Sequence, residues 1–233
     1  MSARRLFLAF WTGVCIGCAA SAPSGPLFQP SCSAQDRRDD VCDAKIESQL
    51  LRRHADTATR SGRKLTFRTS TSRTVTLEDT EDQEGLLTPD GEETVRYMLH
   101  GVTADHFLIR ATFWEDTGYQ LIDRETGEVV ELLARPVFSK SGSFFAVVVE
   151  EDIYECVARV AEIWDYRVRP VRKVFEQRIT GDACVEAEAD GEAGFALWET
   201  EFSEAAMAPV KRRLFGRVLH GPTWRLVRER SKY

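Results

Sequence analysis

The stretch Ile122-Asp123-Arg124-Glu125-Thr126-Gly127-Glu128, followed closely by Pro136 to Val147 (PVFSKSGSFFAV), decides the fold. Thr126-Gly127 and Ser141-Gly142 are turn signals, and both are flanked by segments rich in β-branched and aromatic residues. No amphipathic helix of normal length interrupts this part of the chain. Closely spaced strands and turns of this kind predict an antiparallel meander.

The same pattern extends in both directions along the chain. Leu65 and Phe67 alternate with polar residues and predict a hairpin with Val75 and Leu77. Eleven further strands are predicted, near Val95 to His100, His106 to Trp114, Tyr119 to Asp123, Val129 to Leu133, Phe144 to Glu150, Val157 to Trp164, Val171 to Phe175, Val185 to Ala189, Phe195 to Phe202, Arg213 to Leu219 and Trp224 to Arg228. A helix from about Val41 to Ala55 precedes them, with an apolar stripe at four-residue spacing. The predicted class is mainly β with one N-terminal amphipathic helix.

The two opening stretches resemble the blade junctions of bacterial β-propellers of the TolB-like and WD-repeat kind. In those proteins D-x-x-T-G turns the outer strand pair, and F-S-P-D-G leads into the next blade. Ala161 to Asp165 (AEIWD) is similar to their Trp-Asp strand end, and positions 121 and 129 recur at 163 and 171, an offset of 42 that suits one blade. The resemblance covers residues 94 to about 177 and implies an incomplete or small β-propeller, either open or closed.

The N-terminus has the composition of an export signal. Arg4 and Arg5 precede the apolar run from Leu6 to Gly17, and small residues follow it. At twelve residues this run is shorter than the about 20 that a membrane-spanning helix needs. Ile16-Gly17-Cys18 resembles the lipobox of bacterial lipoproteins, which implies cleavage before Cys18 and its lipidation, although Cys15 stands where that family usually has Leu. Cleavage after Ala20 or Ala22 by the ordinary signal peptidase is the alternative.

These features divide the chain into four segments. We predict a signal peptide at 1–17, a tether at 18–38, a helical segment at 39–62 and a propeller-like β domain at 63–233. The expected location is the bacterial cell envelope, with the body anchored by lipid and facing the periplasm or the exterior. A soluble periplasmic or secreted protein is the alternative.

Four cysteines remain once the signal is removed and Cys18 is acylated. They are Cys32, Cys42, Cys156 and Cys184, and they allow three disulfide connectivities. We predict the local pairing, Cys32 with Cys42 and Cys156 with Cys184. The alternative is two or more free buried thiols.

Charge is distributed unevenly along an acidic chain. The net charge of −6 disfavours general nucleic-acid binding. Residues 209–233, however, contain eight basic side chains and one acidic side chain. We predict that these terminal strands lie across an acidic body. Contact with an anionic lipid or wall polymer is the alternative.

Few residues have the spacing of a chemical site. His100, Asp105 and His106 surround one turn, which we interpret as a surface turn because no third strong metal ligand has a predictable position. The acid pairs Glu150 with Glu151 and Glu199 with Glu201 would suit a glycosidase only if held about 5 to 10 Å apart in a cleft. We interpret them as exposed strand ends, and we expect no catalytic residue, metal or cofactor.

Two tryptophans are candidate partner contacts. Strand alternation places Trp114 opposite to its phenylalanine neighbours, and Trp198 opposite to Phe195. Exposed aromatics in a sheet often anchor a protein partner. The leading hypothesis is therefore a non-enzymatic, envelope-anchored binding or scaffold protein that contacts another envelope protein.

Two other functions stay open. The segment from Cys32 to Cys42 resembles, over a short stretch, the cysteine-bridged helices of certain lysozyme-inhibitor lipoproteins. That resemblance implies an inhibitor or immunity protein against a lytic enzyme. The other alternative is a wall-glycan hydrolase that uses one of the acid pairs.

Overall fold

The computed structural model describes residues 39–80, 94–113, 117–152, 157–179, 184–203, 208–221 and 223–228. This part of the chain forms one helix and four antiparallel sheets, which confirms the mainly β class. Some predictions fall outside it: the signal peptide, the tether, Cys18, Cys32, Cys156 and Trp114.

Each sheet is built from strands that are consecutive in the chain and pair with their neighbours. The first sheet follows helix α1 (Asp39–Arg53) and contains β1 (Ala58–Ser61), β2 (Lys64–Arg68) and β3 (Thr74–Glu78). The second sheet contains β4 (Arg96–Val102), β5 (His106–Thr112), β6 (Thr117–Asp123) and β7 (Val129–Leu132). The third contains β8 (Val137–Phe138), β9 (Phe144–Asp152), β10 (Val157–Asp165) and β11 (Arg172–Arg178). The fourth contains β12 (Cys184–Asp190), β13 (Gly194–Ser203), β14 (Ala208–His220) and β15 (Trp224–Arg228).

Three apolar clusters hold successive sheets together. The first joins α1, the first sheet and the second sheet, and includes Leu50, Phe67, Phe107 and Ile109. The second joins the second and third sheets through Leu108, Leu121, Phe145 and Val147. The third joins the third and fourth sheets through Phe144, Ile163, Phe195 and Leu197. The sheets therefore stack in chain order.

Strand alternation explains how one sheet serves two clusters. On β5, Phe107 and Ile109 enter the first cluster, whereas Leu108 enters the second. On β9, Phe144 and Phe145 likewise face opposite sides. Side chains of successive strand residues point to opposite faces, so a continuous apolar run covers both faces of a middle sheet.

A hydroxyl-bearing loop recurs in the first three sheets. Thr69, Thr103 and Ser139 each follow a strand and are nearly fully buried. Each backbone N–H donates to a carbonyl at the start of the next strand, at 2.8 to 2.9 Å, and each hydroxyl accepts the N–H of that same residue. The partners are Arg73, His106 and Phe144, respectively. Since a buried N–H without an acceptor is costly, this arrangement stabilises each loop by giving its buried N–H groups protein acceptors.

The sequence offset of 42 relates equivalent strands. Position 121 lies on β6 and position 163 on β10, which are the third strands of the second and third sheets. Position 129 begins β7, and position 171 immediately precedes β11. Among the described residues, no apolar cluster joins the fourth sheet to the first. In the same residues, no helix has the length and hydropathy needed to cross a bilayer.

Two strands were not predicted from the sequence. β1 lies inside the segment assigned as helical, because α1 ends at Arg53 and the chain then pairs with β2. β1 buries only Ala58, so it lacks the alternating pattern that identifies a strand. β8 contains two residues, which is too short to show any period.

The basic terminal segment does lie beside acidic strand positions. In the register of β13 and β14, Glu199 is opposite Arg213 and Glu201 is opposite Lys211. Opposite charges at directly paired positions stabilise an antiparallel pair. The register thus pairs two basic positions of β14 with two acidic positions of β13.

Candidate functional site

A buried polar network lies at one end of the interface between the second and third sheets. It contains Thr103, His106, Asp123 and Tyr166, which we call the His106 network. The second sheet supplies three members: the loop before β5, the first residue of β5 and the last residue of β6. Tyr166 follows β10 in the third sheet, and the four residues are only 3 to 5% exposed. The network therefore crosses from one sheet to the next.

The four side chains contact one another in sequence. The Tyr166 hydroxyl lies 2.8 Å from His106 Nδ1 and is also hydrogen-bonded to the Thr103 hydroxyl. On the other side of the imidazole, His106 Nε2 lies 3.7 Å from Asp123 Oδ2. A neutral imidazole with its proton on Nε2, facing the carboxylate, leaves Nδ1 to accept the Tyr166 hydroxyl proton.

The environment fixes the protonation of this network. Burial lowers the pKa of His106 to about 4, although the carboxylates of Asp123 and Asp105 oppose the shift. Burial would raise the pKa of Asp123, but the N–H donors of Thr126 and Glu125 and the charge of Arg169 lower it overall. Burial raises the pKa of Tyr166. At neutral pH the network therefore consists of a phenol, a neutral imidazole and a carboxylate.

An ion-pair rim covers the network on its solvent side. Arg169 forms ion pairs with Asp105 and Glu125, and its Nε lies 3.7 Å from Asp123 Oδ2. Asp105 and Glu125 belong to loops of the second sheet, whereas Arg169 belongs to the loop between β10 and β11. The rim thus joins the same two sheets as the buried network.

The geometry suits a structural link better than catalysis. A general base must reach the proton that it abstracts, either directly or through one water molecule. Here both His106 nitrogens face protein groups, and the ring is 3% exposed. Tyr166 also packs edge-on against Phe138, with ring centroids 5.3 Å apart. The network stabilises one arrangement of two sheets.

A second polar cluster protects the edge of β4. Glu47 Oε1 accepts the N–H of Leu99 at 3.0 Å, and Asp79 Oδ1 accepts the N–H of Tyr97 at 2.8 Å. Arg60 forms ion pairs with both carboxylates, at 3.0 and 2.8 Å. Side chains therefore satisfy backbone donors that an exposed edge strand would offer to another chain.

The structure corrects one interpretation and separates residues that seemed to belong together. His100 and His106 do not lie on a surface turn, since they are 6% and 3% exposed. His100 Nδ1 lies 3.8 Å from Asp43 Oδ1 of α1, whereas His106 faces Asp123. Burial, with the charges of Arg135 and Arg110, lowers the pKa of His100 to about 4. No group of three potential metal ligands comes together in the described residues.

The other predicted site residues have varied positions. Trp198 lies on β13, paired with Glu186 and Leu214, and is half-buried. Cys42 of α1 and Cys184 of β12 are both disulfide-bonded, and the partner of each lies outside the described residues. Their predicted pairing with Cys32 and Cys156 stays a prediction. The side chains of Glu150, Glu151 and Glu201 are also outside the described part.

Sequence reasoning did not identify the His106 network as a unit. Asp123 was visible as the first residue of the D-x-x-T-G turn, and its Oδ1 accepts the N–H groups of Glu125 and Thr126 at 2.7 and 2.8 Å. Asp165, 42 positions later, accepts the N–H of Arg167 in a similar way. The partnership with Tyr166 joins positions 60 residues apart, and no local pattern indicates it.

No family model, curated protein or solved structure matches this chain.

Proposed function

We propose that this protein is a non-enzymatic binding or scaffold protein of the bacterial cell envelope, tethered through lipidated Cys18. The chief support for this proposal is the set of contacts that its buried ionisable groups make. His106, Asp123 and Tyr166 have the order of a proton relay, yet they contact one another and join two sheets. A stack fixed in this way offers a rigid surface, which suits a scaffold better than a catalyst.

A propeller-like body is part of the same proposal. Its support is the repetition of the sheets: one three-stranded and three four-stranded meanders in chain order, the recurrent buried hydroxyl loop and the offset of 42 residues between equivalent strands. We propose that these sheets are blades of an open, incomplete propeller.

Lipid anchoring is tested by metabolic labelling with an alkyne-bearing fatty acid in the source bacterium. We expect label on the wild-type protein and none on Cys18→Ser. Cys15→Ser is the matched control, because that residue would be removed with the signal and its loss should leave labelling intact. Labelled Cys18→Ser protein, or an unlabelled wild type, would contradict anchoring at this position.

The binding role is tested by affinity capture. The Cys18→Ser form is expressed in the periplasm, cross-linked and analysed by mass spectrometry for proteins that co-purify. We expect one envelope protein to co-purify in stoichiometric amount with this form. A further substitution of Trp198 should reduce the amount of that protein captured. If no envelope protein is enriched while the β domain is folded, the scaffold role fails. Wall-derived glycans then become the next ligands to screen.

A further inference from the structure

Arg124, in the turn between β6 and β7, is held in a fixed position by its neighbours. Its Nη1 donates to the carbonyls of Thr103 and Ala104 at 2.9 and 3.3 Å. Its guanidinium carbon lies 5.1 Å from the centre of the ring of Phe107, which is fully buried. Stacking on this ring and hydrogen bonding to one loop together fix the plane of the guanidinium.

The other edge of this guanidinium has no acceptor in the described part of the chain. Neither Nε nor Nη2 of Arg124 makes a hydrogen bond there. Both atoms also retain contact with solvent, although the residue as a whole is half-buried. The N–H groups of Nε and Nη2 are parallel and match the two oxygens of a carboxylate or a phosphate. This edge therefore has the geometry of an oxyanion site.

The acidic side chains nearest to Arg124 do not fill this edge. Asp123 and Glu125 flank it in the sequence, and its backbone N–H donates to the carbonyl of Asp105 at 2.8 Å. The carboxylates of all three residues instead face Arg169. One arginine thus takes the local carboxylates, and Arg124 is left without a counter-ion among the described residues.

The other half-buried arginines of the described chain each have a carboxylate partner. The pairs are Arg60 with Glu47 and Asp79, Arg110 with Asp43, and Arg217 with Asp190. A partly buried charge without a counter-ion is costly, because it loses hydration that nothing replaces. Arg124 differs from this group, which favours a counter-ion from outside the described residues.

His54 lies near Arg124, across the turn between β2 and β3. It directly follows α1, and its loop meets that turn where the N–H of Arg68 donates to the carbonyl of Thr57 at 2.8 Å. On the other side of the turn, the N–H of Ser70 donates to the carbonyl of Arg124 at 2.8 Å. The imidazole of His54 is half-buried and makes no hydrogen bond within the described residues.

The charges around His54 are mainly positive. Burial lowers the pKa of His54, the charges of Arg124 and Arg53 lower it further, and the charge of Asp56 opposes the shift. Two cations against one carboxylate favour an anion in this position. The imidazole also reports on the site, because neutralising Arg124 would remove one cause of the lowered pKa.

We propose that the Nε–Nη2 edge of Arg124 binds an oxyanion, either a carboxylate or a phosphate, beside His54. The two oxygens of the anion accept the parallel N–H groups, and the anion supplies the negative charge that the neighbouring carboxylates give to Arg169. This inference does not depend on the proposed scaffold function, since it rests on the contacts and charges of Arg124.

The test uses the imidazole of His54 as the reporter. Heteronuclear NMR follows each histidine of the full chain carrying Cys18→Ser through a pH titration, and His54→Gln assigns the His54 signal. We expect phosphate or acetate at about 50 mM to raise the pKa of His54 above its value in sodium chloride of equal ionic strength, because two charge-assisted hydrogen bonds give a millimolar affinity. A response to phosphate alone identifies a phosphorylated ligand, and a response to acetate alone identifies an acidic glycan or peptide.

Two substitutions of Arg124 separate its charge from its geometry. Arg124→Gln removes one cause of the lowered pKa of His54, so that pKa should be higher from the start and should no longer respond to either anion. Arg124→Lys keeps the charge but not the parallel pair of N–H groups, so it should leave the pKa of His54 lowered and weaken anion binding by about tenfold or more.

Arg63→Gln is the matched control. The Nε of Arg63 also donates to a backbone carbonyl, that of Asp79 at 2.8 Å, but Arg63 precedes β2 at the end away from Arg124. Its loss changes the net charge equally and should leave the anion response of His54 intact. The proposal is overturned if phosphate, acetate and chloride give the same His54 titration curve, if Arg124→Gln still responds, or if Arg63→Gln loses the response to the same extent.

Discussion

The Tyr166 hydroxyl is a single group that connects two sheets. Tyr166→Phe would keep the aromatic packing against Phe138 and Phe145 but leave His106 Nδ1 and the Thr103 hydroxyl without this partner. A buried polar group that loses its partner typically costs about 1 to 3 kcal/mol. We expect a decrease of that size in the free energy of unfolding, measured by urea denaturation.

Tyr97→Phe is the matched control for this prediction. Tyr97 packs against the first apolar cluster, and its hydroxyl makes no hydrogen bond within the described residues. Its replacement should change the free energy of unfolding by less than about 0.5 kcal/mol. Equal losses in the two variants would mean that the Tyr166 hydroxyl has no specific role.

The buried histidines make stability depend on pH. The folded-state pKa values of His100 and His106 are about 4, below the ordinary value of 6.5. Between these values the unfolded chain binds protons that the folded chain does not, so the free energy of unfolding falls as pH falls. Each histidine contributes a slope of up to about 1.4 kcal/mol per pH unit in this window. The contribution is fully present above pH 6.5.

This dependence is measured by urea denaturation at several pH values from 7.5 to 4. His106→Gln and His100→Gln each remove one titrating group, so each should reduce the slope by up to about 1.4 kcal/mol per pH unit, whatever its effect on stability at neutral pH. The pKa of His54 is also lowered by burial, so part of the slope should remain in both variants. A variant whose slope equals that of the parent would show that the replaced histidine is protonated alike in the folded and unfolded chains.

For single residues, the sequence could indicate where polar and apolar side chains occur, but not whether a given polar side chain is buried. His100 and His106 flank a polar turn, and a local pattern of that kind favours exposure. Their burial follows from Asp43 of α1 and Tyr166 of the third sheet, which approach them from distant parts of the chain. Tertiary contact overrode the local pattern, and it also determined the pKa of each imidazole.

At the scale of elements, turns from successive sheets contact each other. Ser70 N–H donates to the carbonyl of Arg124 at 2.8 Å, and the Thr71 hydroxyl donates to the carbonyl of Glu125 at 2.6 Å. The Ser141 hydroxyl donates to the carbonyl of Glu192 at 2.6 Å in the same manner. Hydrogen bonds between turns thus add to the apolar clusters in fixing the spacing of the sheets.

Gly127 is required for one of these turn contacts. Its φ is +74°, and a Cβ at this position would lie 2.8 Å from Val75 Cγ2 and 3.2 Å from Thr69 Cγ2 of the first sheet. Gly127→Ala therefore combines backbone strain with a steric clash between sheets. We expect it to lower the free energy of unfolding by about 2 to 4 kcal/mol, measured by thermal or urea denaturation.

Gly191→Ala provides a control with nearly the same backbone. Gly191 has a φ of +75°, and no atom lies within 4 Å of its virtual Cβ. Its substitution should show the left-handed backbone cost alone, about 1 kcal/mol. The difference between the two variants measures the close approach of the first and second sheets. Equal losses of unfolding free energy in the two variants would mean that the turn at Gly127 can move away from the first sheet without a cost in free energy.

Most strands could be predicted from the alternation of apolar and polar residues and from the glycines in the turns. β15 has the predicted bounds, and the hairpin of β2 and β3 lies where Leu65, Phe67, Val75 and Leu77 place it. These strands alternate apolar and polar residues or carry a continuous apolar run, and both patterns are local. β1 and β8 could not be predicted, because only their pairing with the neighbouring strand identifies them as strands.

At the scale of the whole molecule, the sheets stack in the order in which the chain supplies them. The stacking order could be anticipated from the meander, but the use of both faces of the second and third sheets depends on a register that the sequence alone does not fix. Covalent links would reinforce this stack near its two ends. Cys42 packs against the first cluster, and Cys184 is a buried residue beside the third.

The disulfide partners follow from this arrangement and from the predicted lipidation. If Cys15 is removed and Cys18 is acylated, Cys32 and Cys156 are the thiols left to pair with Cys42 and Cys184. β12 begins at Cys184 and contacts β10, which begins directly after position 156. Cys32 is ten residues from Cys42 in the sequence, and Cys42 packs against the first cluster. We therefore expect the pairs Cys32 with Cys42 and Cys156 with Cys184.

Peptide mapping of the exported protein without reduction should recover these two linked pairs and no others. Reduction should then lower the free energy of unfolding by about 2 to 4 kcal/mol for each bridge, and by slightly more for the bridge that closes residues 156 to 184. Cys156→Ala with Cys184→Ala should cost somewhat more than Cys32→Ala with Cys42→Ala, because the second pair removes a bridge that closes a shorter loop. A bridge to Cys18 would contradict both the pairing and the lipid anchor, because an acylated thiol cannot form a disulfide.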